Sequence, residues 1–134
     1  MTSYFSWPYL LFTLCAVAAV LIHEFAHVVT AGVLGVKIKR IGLAWRGMYI
    51  VREPGSDAQN LLITLAGPLS NLLTMAACVS LSHVLHIRLF WAWMFATSQA
   101  VFLMNILPLP SSDGLRAARL LRTMVVSFRQ PVSA

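Results

Sequence analysis

The sequence predicts an all-α membrane protein with three transmembrane helices, a membrane-surface β-hairpin between the first two, and a C-terminal interfacial helix. Three observations predict this fold class. The chain has 134 residues, of which 59% are hydrophobic and only 10% charged, with a mean hydropathy of +0.79, whereas soluble domains carry about 25% charged residues. Three apolar stretches are long enough to cross a bilayer. Basic residues are concentrated in the segments that would lie on one side of the membrane.

Each apolar stretch is interpreted as a transmembrane helix because it reaches the roughly 20 residues that a span requires. The three lie at about residues 8–34, 58–82 and 88–107. Ser56 or Asp57 is expected to cap the second helix, and the third ends at the sequence LPLP. The length and these spans predict a single domain that covers the whole chain.

The segment between the first two helices lacks a helical pattern. Residues 36–53 contain β-branched and aromatic residues and are followed by a proline and a glycine. They predict two short strands around a turn near Arg46–Gly47. After the third helix, residues 115–129 place four arginines on one side of a helix whose other residues are mostly apolar, which is typical of a helix that lies along the membrane interface.

The positive charges indicate the orientation of the chain. All but one of the 10 basic residues lie in the hairpin region or the C-terminal segment, and only Arg88 lies between the second and third helices. Because cytoplasmic loops carry the excess of Lys and Arg, we expect the hairpin and the C-terminus in the cytoplasm and the N-terminus outside. The net charge of +6 then reports topology, and no nucleic-acid partner is expected, since that would need a soluble basic face.

A metal-binding pattern lies inside the first helix. His23, Glu24 and His27 form the sequence H-E-x-x-H. A spacing of four places both imidazoles on one helix face, where they can bind one zinc with the carboxylate beside the open coordination position. The alternative is a pair of structural histidines that are hydrogen-bonded inside the bundle. A function is favoured because ionisable groups within a bilayer are costly.

Asp113 is the expected third ligand of such a zinc. It follows the third helix, after Pro108 and Pro110, which prevent the helix from continuing, and before Gly114, which permits a tight turn. Taken alone it would be an ordinary Asp-Gly turn. Depth favours the ligand, because His23 lies about 22 Å along the first helix, in the cytoplasmic half of the bilayer, where the third helix also ends.

Three motifs on successive predicted helices resemble the site-2 protease family of intramembrane metalloproteases. The motifs are HEFAH, AGPLSN and NILPLPSSDG. The residues that match the family pattern are His23, Glu24, His27, Gly67, Pro68, Asn71, Asn105, Pro108, Pro110, Asp113 and Gly114. The resemblance covers about residues 10–120, the three-span core, without the family's extra spans, PDZ insertion or nucleotide-binding regulatory domain.

The resemblance implies a zinc endopeptidase that hydrolyses peptide bonds within or near transmembrane helices. One Zn²⁺ per chain would be bound by His23, His27 and Asp113. Glu24 would act as general base and then as general acid, and Asn71 would donate its amide to the oxyanion. A contact between helices is the alternative for Asn71. The structural residues expected near the site are Gly67, Pro68, Asn105, Pro108, Pro110 and Gly114, with Asn105 shaping the turn that carries Asp113.

The implied substrate is a membrane-spanning protein, such as an anti-sigma factor or another single-pass signalling protein, in a prokaryotic cytoplasmic membrane. The hairpin at 36–53 offers an edge strand that could pair with an unwound substrate segment, or it merely positions the first two helices. A non-catalytic zinc-binding membrane scaffold of the same fold remains an alternative. A metal transporter is less favoured, because the sequence lacks the internal repeats that are typical of transporters.

Overall fold

A computed structural model describes residues 6–44 and 47–129 of the chain. Its elements in chain order are α1 (Trp7–Val33), β1 (Ile38–Ala44), β2 (Gly47–Arg52), α2 (Asp57–Ser82), α3 (Arg88–Ile106) and α4 (Asp113–Arg129). The protein is therefore mostly helical, and α1, α2 and α3 are each long and apolar enough to cross a membrane. The expectation of three membrane helices with a two-stranded hairpin between the first two is confirmed.

The start of α2 follows from side-chain capping. The Ser56 hydroxyl accepts a hydrogen bond from the backbone N–H of Gln59 at 3.2 Å, and the Gln59 side chain accepts one from the backbone N–H of Ser56 at 2.9 Å. This reciprocal pair is a capping box. Of the two predicted caps, Ser56 is therefore the cap, while Asp57 is the first helical residue, where its charge suits the helix N-terminus.

The two strands between α1 and α2 pair antiparallel. Ala44 is opposite Gly47, so the connection between the strands is short. Gly47 begins β2, and Arg46, the other half of the predicted turn, lies outside the described residues. The register shifts between Ile38 and Arg40, which is typical of a β-bulge. The hairpin contacts both neighbouring helices, because β1 packs against α1 and Arg52 of β2 is hydrogen-bonded to Asn60 of α2.

Buried residues form two apolar clusters with a polar layer between them. The first cluster contains Cys15, Ala19, Cys78 and Met94. The second contains Ala31, Val36 and Ile63. The polar layer contains His23, Asn71, Thr97 and Ser98. Small residues let membrane helices approach closely, and buried polar groups in a membrane bundle mark the place where a site can form.

Large apolar side chains cover much of the outer surface of the three long helices. Phe25 on α1 is 66% exposed, Leu73 on α2 63% and Met104 on α3 66%. A soluble protein would bury such side chains, whereas hydrocarbon chains of a bilayer accommodate them. Together with the length and apolar composition of the helices, this surface identifies a membrane protein.

The link between α3 and α4 differs from the tight turn that Gly114 is expected to permit. Pro108 and Pro110 follow the end of α3, as expected, but the positive φ of 68° belongs to Ser111. Asp113 is the first residue of α4 and Gly114 the second. The expectation of a tight turn at Gly114 is therefore wrong, because α4 already begins at Asp113.

Gly114 is required for close packing. A Cβ at this position would collide with the carbonyl of Ile106 and lie 3.0 Å from the Leu107 oxygen. Ser112 fixes the same junction, because its hydroxyl donates to the Leu107 carbonyl at 2.6 Å and accepts from the Leu115 N–H at 3.2 Å. The end of α3 and the start of α4 are thus held together, and this sets the position of Asp113.

Candidate metal centre

Side chains from α1 and α4 bring three potential ligand atoms together. The Nε2 atoms of His23 and His27 lie 3.0 and 3.2 Å from Oδ2 of Asp113, and 3.3 Å from each other. In a tetrahedral site, ligand atoms about 2.0 Å from zinc lie about 3.3 Å apart. The three atoms therefore fit three corners of a zinc tetrahedron and leave the fourth corner for water. They form a possible metal site.

The second ring nitrogen of each histidine is also in contact with the protein. Nδ1 of His27 donates to the Ile63 carbonyl at 2.6 Å, which leaves Nε2 with the lone pair that a metal requires. Nδ1 of His23 lies 3.0 Å from the side-chain amide of Asn71. Both rings are thus oriented by contacts with α2.

Asn71 lies behind His23, away from the space in front of the ligands. Its side chain is fully buried, and among the described residues its Oδ1 has no hydrogen-bond partner. Both groups are satisfied when the amide is turned so that Oδ1 accepts from Nδ1–H of His23, which frees Nε2 for a metal. This placement favours a role in orienting His23. The expected role of Asn71 as oxyanion donor stays a prediction.

Asp113 is suited to remain ionised. Burial raises the pKa of its carboxyl group, but without a metal, when Nε2 of His23 and His27 carry protons, their hydrogen bonds outweigh burial and hold the pKa below its usual range. Its position at the N-terminus of α4 adds a favourable interaction with the helix dipole. The other carboxylate oxygen lies 3.9 Å from the guanidinium of Arg116. An ionised carboxylate is the form that binds a divalent metal.

Gly67 of α2 packs directly against both imidazoles. A Cβ at this position would collide with Nε2 of His27 and lie 2.6 Å from Cε1 of His23. Pro68, the next residue, is also among the most deeply buried side chains. Gly67 therefore has a physical reason for its predicted structural role, because only glycine leaves room for the two histidines.

We expect Gly67→Ala to weaken zinc binding by about 10- to 100-fold, the range found when groups that support metal ligands are changed. The added methyl group would push both imidazoles out of their positions beside Asp113. Zinc affinity is measured by competition with a chelator, with circular dichroism as a check on folding. Gly32→Ala is the matched control, because a Cβ there meets nothing within 4 Å. Equal zinc affinity of Gly67→Ala and wild type would contradict the prediction.

A cavity of about 330 Å³ opens in front of the three ligand atoms. Glu24 lies on its wall, as do Thr64 from α2 and Met48 and Tyr49 from β2. The cavity thus extends from the candidate metal site to the hairpin. A carboxylate, a metal site and space for a peptide and water are therefore adjacent, as peptide hydrolysis requires.

Asn105 also lies on the cavity wall. Its amide donates to the carbonyl of Val101 within α3 at 2.9 Å. The expectation that Asn105 shapes the turn carrying Asp113 is therefore not supported by its hydrogen bonding, and Ser112 is the residue that holds that turn. Serine is a preferred helix N-cap residue, and this preference could have identified Ser112 from the sequence.

Two arginines at the cavity have no counterpart among the residues expected from the sequence. Arg52 at the end of β2 and Arg116 on α4 both line it, and Arg52 is hydrogen-bonded to the side chain of Asn60 on α2. The two arginines are far apart in the sequence, so no local pattern connects them. Only the folded arrangement of hairpin and α4 shows that they share one space.

The chain matches a known protein family over most of its length. The model of the family described as Peptidase M50B-like matches residues 2–114. The match includes the three long helices and the hairpin and ends directly after Asp113. A search of curated proteins finds no significant match.

Proposed function

The chain belongs to the M50B-like peptidases of the site-2 protease family, and from this membership we propose that it is an intramembrane zinc endopeptidase. It would hydrolyse peptide bonds within or near transmembrane helices of membrane proteins. One observation carries the proposal: the triangle formed by His23, His27 and Asp113, with Glu24 on the wall of the same cavity. Peptidases of this family are metallopeptidases.

Each of these four residues has a defined task in the proposed reaction. His23, His27 and Asp113 would hold one zinc, and zinc when bound lowers the pKa of a water and polarises the substrate carbonyl. Glu24 takes the proton from the attacking water and delivers it to the leaving amine. Glu24 is suited to this because it lies beside the ligands and is not one of them.

The hairpin is the proposed guide for the substrate. A peptide bond in a helix must be exposed by local unwinding before it can be attacked. Met48, Tyr49 and Ile50 of β2 line the cavity, so an extended segment that pairs with the edge of β2 would pass in front of Glu24. The alternative, a hairpin that only positions α1 and α2, predicts that changes along β2 leave substrate affinity unaltered.

The proposed location is a prokaryotic cytoplasmic membrane, with the N-terminus outside and the hairpin and C-terminus in the cytoplasm. The proposed substrate is a single-pass signalling protein, such as an anti-sigma factor.

We place α4 along the membrane interface. Its apolar residues Leu121, Val125 and Phe128 are exposed, as is its arginine Arg122, a pattern that suits a helix between lipid and water.

Metal removal tests the proposed function. We expect the purified protein, reconstituted in lipid, to cut a single-span peptide within its apolar segment, as mapped by mass spectrometry. Chelation should abolish the cut, and stoichiometric Zn²⁺ should restore it whereas Mg²⁺ should not, because a His/His/Asp site prefers zinc. Full cleavage by protein shown to be metal-free would overturn the proposal. Zinc binding without any cleavage would support the non-catalytic scaffold instead.

A further inference from the structure

A second cavity runs beside the first, between the end of β2 and α4. It has a volume of about 650 Å³ and is called the basic groove below. The residues that define it are Arg52, Glu53, Asn60, Thr64, Arg116 and Arg119. We propose that the basic groove binds an acidic segment of the substrate next to the bond that is cut. The proposal rests on the proposed proteolytic function and adds to it the class of substrate.

The charges of the basic groove are unbalanced. Three arginines line it against one acidic residue, Glu53. Arg116 has 64% of its side chain exposed, and Arg119 is also exposed. Arg52 is half-buried and held by its hydrogen bond to Asn60. A carboxylate that enters the groove would form charge-assisted hydrogen bonds with guanidinium groups that already face this space.

Arg52 and Arg116 interact unfavourably with each other. Burial lowers the pKa of Arg52, and the positive charge of Arg116 lowers it further. The Arg116 guanidinium approaches Asp113 only to 3.9 Å, and the other oxygen of that carboxylate is in contact with the histidines. An anionic group between the two arginines would relieve their repulsion.

The groove and the cavity in front of the metal ligands are continuous. Ile50, Arg52, Thr64 and Arg116 line both of them. A peptide that extends along β2 through the cavity would therefore enter the groove. Because the two spaces share these four residues, the acidic residues would lie close in sequence to the bond that is cut.

A peptide fits these observations better than a lipid headgroup. The groove has the hairpin on one side, α4 on the other and Asn60 and Thr64 of α2 between them, and it leads into the candidate active site. An anionic lipid could reach Arg122 or Arg129 on the rest of α4 without entering this space.

Arg116 and Arg119 lie beyond Gly114, where the family match ends, so the groove depends on residues outside that match.

The test compares two single-span peptides that differ only in the flank on the hairpin side of the membrane, one with a run of glutamates and one with a run of glutamines. Binding is measured with the Glu24→Gln variant, so that neither peptide is consumed, in nanodiscs of phosphatidylcholine. We expect the glutamate peptide to bind about tenfold more tightly. The difference should decrease as salt is raised, because the contacts are partly exposed.

Variants of the arginines locate the effect. Arg119→Gln and Arg52→Gln should each remove most of the preference for glutamate, and Arg119 is exposed, so this change should not disturb folding. Arg122→Gln is the matched control on the same helix outside the groove, and it should keep the preference. Equal affinity for the two peptides, or an equal loss in Arg122→Gln, would overturn the proposal. So would a preference that appears only when phosphatidylglycerol is added, which would indicate a lipid site.

The outcome is separable from the proposed function. Binding of the glutamate peptide can be measured whether or not the wild-type protein cleaves it. A protein that cleaves both peptides equally well, with equal affinity, retains the proteolytic function and loses the groove. A protein that prefers the glutamate peptide in every binding measurement but cuts neither retains the groove and loses the proteolytic function.

Discussion

Glu24→Gln is expected to reduce cleavage of a single-span peptide by about 100- to 10,000-fold, the contribution usual for a general base, while zinc remains bound. Glutamine has the size of glutamate and cannot take a proton from water. Glu24 lies on the cavity wall outside the group of three ligand atoms, so the change leaves the metal site intact. Single-turnover cleavage and zinc content are measured on the same preparation.

Asp57→Asn is the control for loss of a carboxylate. Asp57 is exposed at the start of α2, and its variant should cleave the peptide at the rate of the wild type. Wild-type cleavage by Glu24→Gln would show that the role assigned to Glu24 is wrong. Loss of zinc from Glu24→Gln would contradict its placement outside the ligand set.

Asn71→Ala is expected to weaken zinc binding by about 10- to 100-fold, although Asn71 does not approach the metal site as a ligand. Without the amide, Nδ1–H of His23 would be buried with no acceptor, and the ring would no longer be held with Nε2 toward Asp113. Asn71→Asp should restore tight binding, because its carboxylate can accept the same hydrogen bond. Zinc affinity is measured by chelator competition for each variant.

Ser98→Ala is the matched control for the loss of a buried polar group. Ser98 is as fully buried as Asn71, and in the described part of the chain its hydroxyl has no hydrogen-bond partner. Its variant should keep the zinc affinity of the wild type. If Asn71 acted only on the oxyanion, Asn71→Ala would retain its zinc and lose only rate. That pattern would contradict the orienting role.

The meeting of the three candidate ligands was predictable because it follows from spacing and depth. His23 and His27 are four residues apart on a helix, which alone places them on one face. Asp113 could be placed at the same level because the first and third helices both end on the same side of the membrane. These arguments use only helix geometry and the thickness of the bilayer.

The immediate surroundings of the ligands were not predictable in the same way. Contact of Gly67 with both imidazoles, and of Asn71 with His23, depends on how α1 and α2 rotate and pack, which a motif does not determine. Gly114 shows the limit clearly. Its position next to Asp113 indicated a tight turn, whereas its lack of a side chain serves the close approach to Ile106.

The basic groove is the feature that was least predictable from the sequence. Arg52 and Arg116 belong to two different predicted segments, one a surface hairpin and the other an interfacial helix. In the sequence their charges indicate only membrane topology. The shared space between them arises from the way the junction at Ser112 directs α4 back toward α2 and the hairpin.

The separation of the candidate ligands along the chain has a consequence for stability. Ninety residues separate His23 from Asp113, and α4 packs chiefly on α2. A metal that joins them would act as a removable cross-link between the first and last helices. Because the ligands meet only in the folded chain, the free energy of metal binding would add to the stability of the fold. Metal starvation would then loosen the hold on α4 as well as stop the proposed proteolysis, so the stability of the protein would depend on the supply of the ion.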